Sequence, residues 1–354
     1  MKKIATVIGA RPQFVKMALV SRELRSRNIK EVVIHTGQHY DKCMSGIFFK
    51  ELKIPRPDYN LGVGSARHGE QTAGMLAGIE KILVKDKPDI VLVYGDTNST
   101  LAGALAAAKL NIAVAHIEAG LRSYNKRMPE EINRIVADGV SSLFFCPTKT
   151  AVGNLKKEGK TNGVYLVGDV MYDSIKKYRR IIDKAGLTAA GRGRILCTIH
   201  RAENTDDPAN LRQIFAGLAK LGKEVLIPLH PRTAGCLKKY GIKVSGNIKL
   251  IGPVGYIEML KLEKDAPVII TDSGGVQKEA FIFGVPCVTL RNETEWVETV
   301  DKGMNALVGA SGERLVKAVR DIYKGPRKHA DPESVYGNGT AHKKIADILE
   351  KHKG

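Results

Sequence analysis

Short apolar runs alternate with amphipathic helical stretches along the chain, and this alternation most restricts what the chain can fold into. Strand-like runs are read at Ile4–Gly9, Val32–Thr36, Ile90–Tyr94, Ala113–Ile117, Leu143–Cys146, Val164–Val167, Ile195–Ile199, Glu224–Pro228, Ile248–Ile251, Val268–Thr271 and Cys287–Leu290. Helical patterns lie between them, for example at Leu101–Lys109, Glu131–Gly139, Leu211–Lys220 and Val276–Phe283. Continuous apolar strands separated by helices belong to a parallel sheet covered on both faces. At 354 residues the chain is long for one hydrophobic core. The expectation is therefore an α/β protein of two doubly wound, Rossmann-like domains facing each other across a cleft. The first domain is expected over 1–170 and the second over 171–337, with a last helix at His342–Lys351, in the segment 338–354, packing back on the first. The turn-rich stretch from Asp331-Pro332 to Gly337-Asn338-Gly339 separates that helix from the second domain.

Composition narrows the function. Hydrophobic content of 43 % and charged content of 26 % are those of a globular protein. No apolar run approaches the length a membrane helix needs. The opening Met1-Lys2-Lys3-Ile4-Ala5-Thr6-Val7-Ile8 resembles a signal peptide only briefly, because it breaks into Arg11-Pro12-Gln13; it reads as a first core strand, and a cytoplasmic location follows. The cysteines Cys43, Cys146, Cys197, Cys236 and Cys287 form no C-x-x-C pair and read as buried, reduced thiols. The net charge of +19, from 56 basic and 37 acidic residues, fits a solvated surface or an anionic partner. Nucleic acid is argued by charge alone, since aromatic content is 6 % and no zinc finger, basic-aromatic RNA motif or basic tail is present.

The polar residues that look functional follow the strands directly. In an open parallel sheet, ligands bind beyond the carboxyl ends of the strands. Ile269-Ile270-Thr271-Asp272-Ser273-Gly274-Gly275-Val276 is a buried strand, a Ser-Gly-Gly turn and a helix start, which is the arrangement that lets backbone N–H groups approach a phosphate. Glu279, one turn further, can accept from a ribose diol. Arg11 and Lys16 follow the first strand on the opening turns of a helix and suit phosphate contacts. Asp96 follows Val91-Leu92-Val93-Tyr94-Gly95, Glu118 follows Val114-Ala115-His116-Ile117, and Glu130 and Glu131 follow Met128-Pro129 at a helix start, where Glu131 reads as a cap for the helix dipole. Carboxylates grouped in a partly desolvated cleft can have their proton affinities pushed apart, giving a base and an acid. His200 and His230 also follow strands; neither has a second ligand at metal spacing. A histidine near a diphosphate can donate to it or move protons.

Taken together, Gly9-Ala10-Arg11-Pro12-Gln13, His35-Thr36-Gly37-Gln38-His39-Tyr40, Tyr94-Gly95-Asp96-Thr97-Asn98-Ser99-Thr100, His116-Ile117-Glu118-Ala119-Gly120-Leu121-Arg122, Met128-Pro129-Glu130-Glu131-Ile132-Asn133-Arg134, His200-Arg201-Ala202-Glu203-Asn204 and Thr271-Asp272-Ser273-Gly274-Gly275-Val276-Gln277-Lys278-Glu279-Ala280 resemble the non-hydrolysing UDP-N-acetylglucosamine 2-epimerases from end to end. The resemblance implies a GT-B type fold, a homodimer, a UDP-sugar partner, and no cofactor, whether metal or nicotinamide. It implies inversion at C2 by elimination of UDP to a 2-acetamidoglucal and re-addition, UDP-GlcNAc giving UDP-ManNAc. On this basis Asp96, Glu118, Glu130 and His200 are expected to be catalytic. Arg11, Lys16, His200, Tyr256, Ser273, Gly274, Gly275 and Glu279 are expected to bind substrate. Gln38, Arg201 and His230 match a second, activator site of bacterial members, from whose pattern Asp41 and Glu70 depart.

One further departure bears on substrate. Many members carry Arg-Pro within the segment that here reads Asn292-Glu293-Thr294-Glu295-Trp296-Val297-Glu298, and Trp296 stands for that arginine. The Trp form and Gln13 look more like relatives acting on UDP-2,3-diacetamido-2,3-dideoxy-glucuronate, which is the alternative substrate. A glycosyltransferase of the same fold is a more distant reading, with less use for the carboxylate group.

Overall fold

The computed structural model describes residues 2–38, 54–184, 193–326 and 329–352. The chain divides into two compact units, Met1–Tyr178 with Glu333–Gly354, and Arg179–Pro332. The boundary falls within the helix Val170–Lys184. Among the described residues no helix is long and apolar enough to cross a membrane.

The first unit is built on a seven-stranded parallel sheet: β1 (Lys3–Ile8), β2 (Lys30–His35), β3 (Tyr59–Asn60), β4 (Ile90–Tyr94), β5 (Ala113–Ile117), β6 (Leu143–Cys146) and β7 (Val164–Leu166). Their order is β3-β2-β1-β4-β5-β6-β7. The second unit has β8 (Ile195–Thr198), β9 (Val225–Pro228), β10 (Ile248–Ile251), β11 (Ile269–Thr271), β12 (Cys287–Thr289) and β13 (Asn305–Leu307), in the order β10-β9-β8-β11-β12-β13. Both are therefore doubly wound sheets, with strand order reversing between β1 and β4 and between β8 and β11. Backbone atoms near such a reversal are left uncovered by crossover helices, and ligands bind there.

Register sets the strand ends side by side. Tyr94 pairs with Ile117, which brings Gly95-Asp96 next to Glu118. Thr198 pairs with Thr271, which brings Ile199-His200 next to Asp272. The helix Asn98–Lys109 packs closely on the first sheet because its inner face is small: a Cβ on Gly103 would stand 3.1 Å from Val7 and Val93 side chains. That helix starts three residues before the apolar pattern does. Its first turn, Asn98-Ser99-Thr100, is polar but buried, and Thr97 Oγ1 caps it by accepting from Thr100 N–H at 3.3 Å. Proline at the first position likewise extends the helices Pro129–Val140 and Pro208–Ala219 beyond their apolar patterns.

Two strands are absent from the sequence reading. β3 and β13 are edge strands of two and three residues, too short to stand out as apolar runs. The final helix, Ala341–Lys351, belongs to the first unit. Lys2 Nζ donates to the carbonyls of Leu349 (2.6 Å) and His352, and Arg27 Nη1 pairs with Asp347 (2.5 Å) and Glu350 (3.0 Å). His342 closes the helix start onto Asp173 at 2.6 Å through Nδ1.

Candidate active site

In the first unit the polar cluster grows from the ends of β1, β4 and β5. Gln13, in the helix Arg11–Ser26, accepts from Gly9 and Ala10 N–H (2.7 and 2.9 Å) and donates to Tyr94 C=O (2.8 Å) and Thr100 Oγ1 (3.1 Å), tying the first turn to β4. Lys16, one turn on, forms a buried ion pair with Glu118. Gly95 lies beneath this pair: with φ +64, it would place a Cβ 3.1 Å from Lys16 Nζ and 3.2 Å from Glu118 Oε2. Glu118 itself holds φ +70, a left-handed conformation that costs a non-glycine residue about 1–2 kcal/mol. Asp96 is ion-paired with Arg134, and its carbonyl accepts from Asn133 Nδ2 at 2.9 Å. Glu130 sits half-buried in the first turn of the helix Pro129–Val140.

Glu131 differs from the expected dipole cap. It is buried and turned back, accepting from Ser123 N–H (2.9 Å), Ser123 Oγ (2.8 Å) and Tyr124 N–H (2.9 Å), with Arg134 Nη1 at 3.2 Å. Its work is to fix the loop after Glu118. Gln38 accepts from Ser99 N–H (3.1 Å) and Oγ (2.7 Å) at the start of Asn98–Lys109.

In the second unit Asp272, at the end of β11, is buried and accepts from His200 N–H (3.0 Å), Arg201 N–H (3.0 Å) and Asn204 Nδ2 (3.2 Å), with His200 Nδ1 at 3.1 Å. Burial pushes its carboxyl up, but the His200 charge and these donors outweigh burial and hold it at about 2. His200 thus turns its Nδ1 edge toward Asp272, and its ring lies tilted by 38° against that of His230, with centroids 5.6 Å apart. His230 caps the helix Pro231–Lys239 through Nδ1, which accepts from Arg232 N–H at 3.2 Å.

Next to Asp272, Ser273 caps the helix Gly274–Phe283. First-turn N–H groups of a helix have no intrahelical acceptor and carry the positive end of its dipole. Gly274 is required by a close approach: a Cβ there would stand 2.2 Å from Glu295 Oε1 and 3.4 Å from Trp296 Nε1. Glu295 in turn pairs with the buried Arg291 at 3.0 Å. Lys278 Nζ lies 4.3 Å from the Trp296 ring centre, and both residues are buried. Glu279, on the same helix, adjoins Glu263 of the helix Tyr256–Asp265. Burial, the Glu279 charge and the hydrogen bond to Glu279 push the Glu263 carboxyl well above the ordinary carboxyl range. Tyr256, buried, opens that helix.

The family profile for UDP-N-acetylglucosamine 2-epimerase matches residues 22–350. The chain belongs to the UDP-N-acetylglucosamine 2-epimerase family. It is accordingly an isomerase. It is 52 % identical to the UDP-N-acetylglucosamine 2-epimerase homolog of Methanococcus maripaludis, over 98 % of this chain and 99 % of that one. It is 50 % identical to the UDP-2,3-diacetamido-2,3-dideoxy-D-glucuronate 2-epimerase of Pseudomonas aeruginosa, over 99 % of both chains. The crystal structure of Methanocaldococcus jannaschii UDP-GlcNAc 2-epimerase in complex with UDP-GlcNAc and UDP matches with a TM-score of 0.95 at 44 % identity, covering 99 % of this chain and 100 % of that one. The α/β architecture of two parallel sheets is GT-B-like, as in these epimerases.

Within this epimerase the sequence-derived residues divide by unit. Asp96, Glu118, Glu130, Lys16 and Gln38 belong to the first; His200, Arg201, His230, Tyr256, Ser273, Gly274, Gly275 and Glu279 belong to the second. Arg11 opens the helix Arg11–Ser26, and its side chain lies outside the described residues, as do His39, Tyr40, Asp41 and Cys43. Glu70 is exposed in the first turn of His68–Asp86. Cys146, Cys197 and Cys287 are buried free thiols, whereas Cys236 is only half-buried. Sequence reasoning passed over Arg134, Gln13, Asp272 and Glu263 as chemical groups. The first three stand in quoted motifs and were within reach; Glu263 sits in an ordinary amphipathic helix pattern and gives no local sign. Among the described residues no three His, Cys, Asp or Glu side chains group as metal ligands.

Proposed function

We propose that the protein inverts C2 of a UDP-linked 2-acetamido sugar, UDP-GlcNAc to UDP-ManNAc, without a cofactor, with Asp96, Glu118 and Glu130 as its acid–base group. A carboxylate of this group takes the C2 proton while the C1–O bond breaks and UDP leaves, giving 2-acetamidoglucal. A second carboxyl group of the set, in its acid form, gives its proton to the opposite face of C2 as a phosphate oxygen of UDP re-forms the bond to C1, and it is left as the carboxylate. The C2 proton is weakly acidic, so bases positioned on both faces are needed. The departing diphosphate gathers charge, which the Ser273-Gly274-Gly275 helix start, His200, Arg11 and Lys16 would offset. Glu279, beside Glu263, would accept from the ribose hydroxyls, and Tyr256 would line the same nucleotide site. The observation that carries the reading is the register of β4 and β5, which delivers Asp96 and Glu118 to adjacent strand ends together with a buried lysine. A homodimer and a cytoplasmic location are part of the same proposal, supported by the family resemblance alone. Gln38, Arg201 and His230 are proposed to form a second UDP-sugar subsite.

A second reading keeps the reaction and changes the sugar to the 2,3-diacetamido glucuronate. The buried Lys278 on Trp296 favours it, since it adds a cation beside the helix start that an extra carboxylate can use. The 50 % identity to the Pseudomonas enzyme of that name points the same way. Incubation in deuterated water with each UDP-sugar, following C2 deuterium and the manno epimer by NMR, tests both. Exchange with UDP-GlcNAc supports the first substrate, exchange with the uronate alone supports the second, and exchange with neither removes the epimerase proposal.

A further inference from the structure

His116 is the last residue but one before Glu118, is completely buried, and is used by no step of the proposed reaction. Its ring lies between two acceptors: Nε2 is 2.7 Å from Gly95 C=O and Nδ1 is 2.8 Å from Asp138 Oδ1. The peptide it holds is already bound from the other side, because Gly95 N–H donates to Ile117 C=O at 2.9 Å. Two hydrogen bonds thus lash the turn before Asp96 to the two residues before Glu118. Asp138 reaches further. Its Oδ2 accepts from Gly120 N–H (3.1 Å) and Arg122 Nη1 (2.7 Å), so one carboxylate grips positions 116, 120 and 122 on both sides of the left-handed Glu118. Arg122 is anchored in turn by both oxygens of Glu158, each at 2.7 Å. Asp138 also belongs to the helix that begins with Glu130 and supplies Asn133 and Arg134 to Asp96. The His116–Asp138 pair therefore holds the turns beside Asp96 and Glu118, and Asp138 shares its helix with Glu130.

We propose that His116 is a positioning residue, an imidazolium clamped between Asp138 and the Gly95 carbonyl, that fixes Asp96, Glu118 and Glu130 in one frame for proton transfer at C2. The inference rests on the reaction proposed above. A carbonyl oxygen only accepts, so Nε2 must carry a proton. Asp138 already accepts from a guanidinium and an amide, which marks it as the ionised partner and leaves Nδ1 to donate. Burial pushes Asp138 up, and the His116 charge and Arg122 outweigh it and hold the carboxyl below its ordinary range. Such a clamp matters because reacting atoms misplaced by about 1 Å lose rate steeply, by about 10²-fold.

The test compares wild type, His116→Phe and His116→Gln in the deuterium-exchange assay, with UDP affinity measured by calorimetry. The glutamine amide can restore the Nε2–H donor. We expect kcat to fall about 10²-fold in His116→Phe, with KM and the UDP dissociation constant within about twofold, and His116→Gln to recover about tenfold. A kcat for His116→Phe within about threefold of wild type, or a glutamine variant no better than phenylalanine, overturns the proposal. Nitrogen-15 NMR of histidine-labelled wild-type enzyme reads the ring directly: both His116 nitrogens should carry protons in the folded enzyme, as the two facing acceptors require, and a ring with a bare nitrogen overturns the proposal. That spectrum decides the clamp even where a variant fails to fold. Absence of turnover by wild type on either sugar counts against the reaction, not the clamp.

Discussion

At the end of β4 in the first unit, Asp96 meets the guanidinium of Arg134, whereas at the end of β11 in the second unit, Asp272 meets backbone amides and a histidine. The two strands occupy the same place in sheets of the same order. Around Asp96 the charges alternate in side chains: Lys16 with Glu118, Arg134 with Asp96 and Glu131, Arg122 with Asp138. Around Asp272 the acid is consumed in shaping the turn, and the neighbouring helix start presents N–H groups instead. One topology thus supplies two kinds of site. Side-chain carboxylates suit moving a proton, and a rigid ring of amides suits holding an anion. The difference teaches that the doubly wound frame fixes where a site lies, while the residue following each strand fixes what it does.

The sharpest way to break this division is Glu118→Gln. Removing one acid–base group costs about 10²–10⁴-fold in rate. C2 exchange in deuterated water should fall by that amount, with UDP affinity by calorimetry within about threefold of wild type. Loss of UDP binding of the same size would assign Glu118 to the nucleotide and end the division. The counterpart in the second unit is Gly274→Ala. Its Cβ meets Glu295 Oε1 at 2.2 Å, so the helix start must shift. Overpacking of this kind costs about 1–3 kcal/mol. UDP affinity should drop by about tenfold, with exchange at saturating sugar retained within about threefold. A loss in kcat larger than the loss in affinity would place this turn among the reacting groups.

How far the sequence carried these assignments differs between backbone and side chains. β4, β5 and β6 coincide with their apolar runs, because a strand buried on both faces has no exposed polar position to blur its ends. The same rule delivered Asp96, Glu118 and Asp272 as strand-end residues. Edge strands such as Asn305–Leu307 escape it, since one flank needs no apolar cover. Pairings were out of reach. Lys16 and Glu118 stand 102 positions apart and meet only after β1, β4 and β5 align, so each reads alone as a phosphate ligand and a base. His116 reads as one more residue of a strand until Asp138 arrives from a helix 22 positions away.

Acid stability tests the turn at the end of β11 by a smaller effect. The carboxyl of Asp272 titrates at about 2 when folded, against an ordinary 3.8. A carboxyl depressed on folding stabilises the native state above its unfolded value, and that stabilisation disappears as pH falls through the folded value. The difference is worth about 2 kcal/mol, present above about pH 4 and gone below about pH 2. Urea unfolding of wild type and Asp272→Asn should therefore differ most at pH 5, and the gap should shrink by about 2 kcal/mol towards pH 2. A gap independent of pH would mean that the amide network, not ionised Asp272, holds the turn.

The smallest effect concerns Lys278 in the second unit. Lys278 lies over Trp296, and both are buried on or beside the helix Gly274–Phe283. A cation–π contact of this kind is worth about 1–2 kcal/mol. Lys278→Met keeps the chain length and the apolar contact with Trp296 while removing the charge. If the lysine serves an extra carboxylate on the sugar, kcat/KM for the 2,3-diacetamido glucuronate should fall about fivefold relative to that for UDP-GlcNAc, measured by competition in one tube. An equal loss with both sugars would assign the cation to the shared diphosphate. A loss confined to thermal stability would leave Lys278 as packing for Trp296, and the choice of sugar would then have to come from another residue.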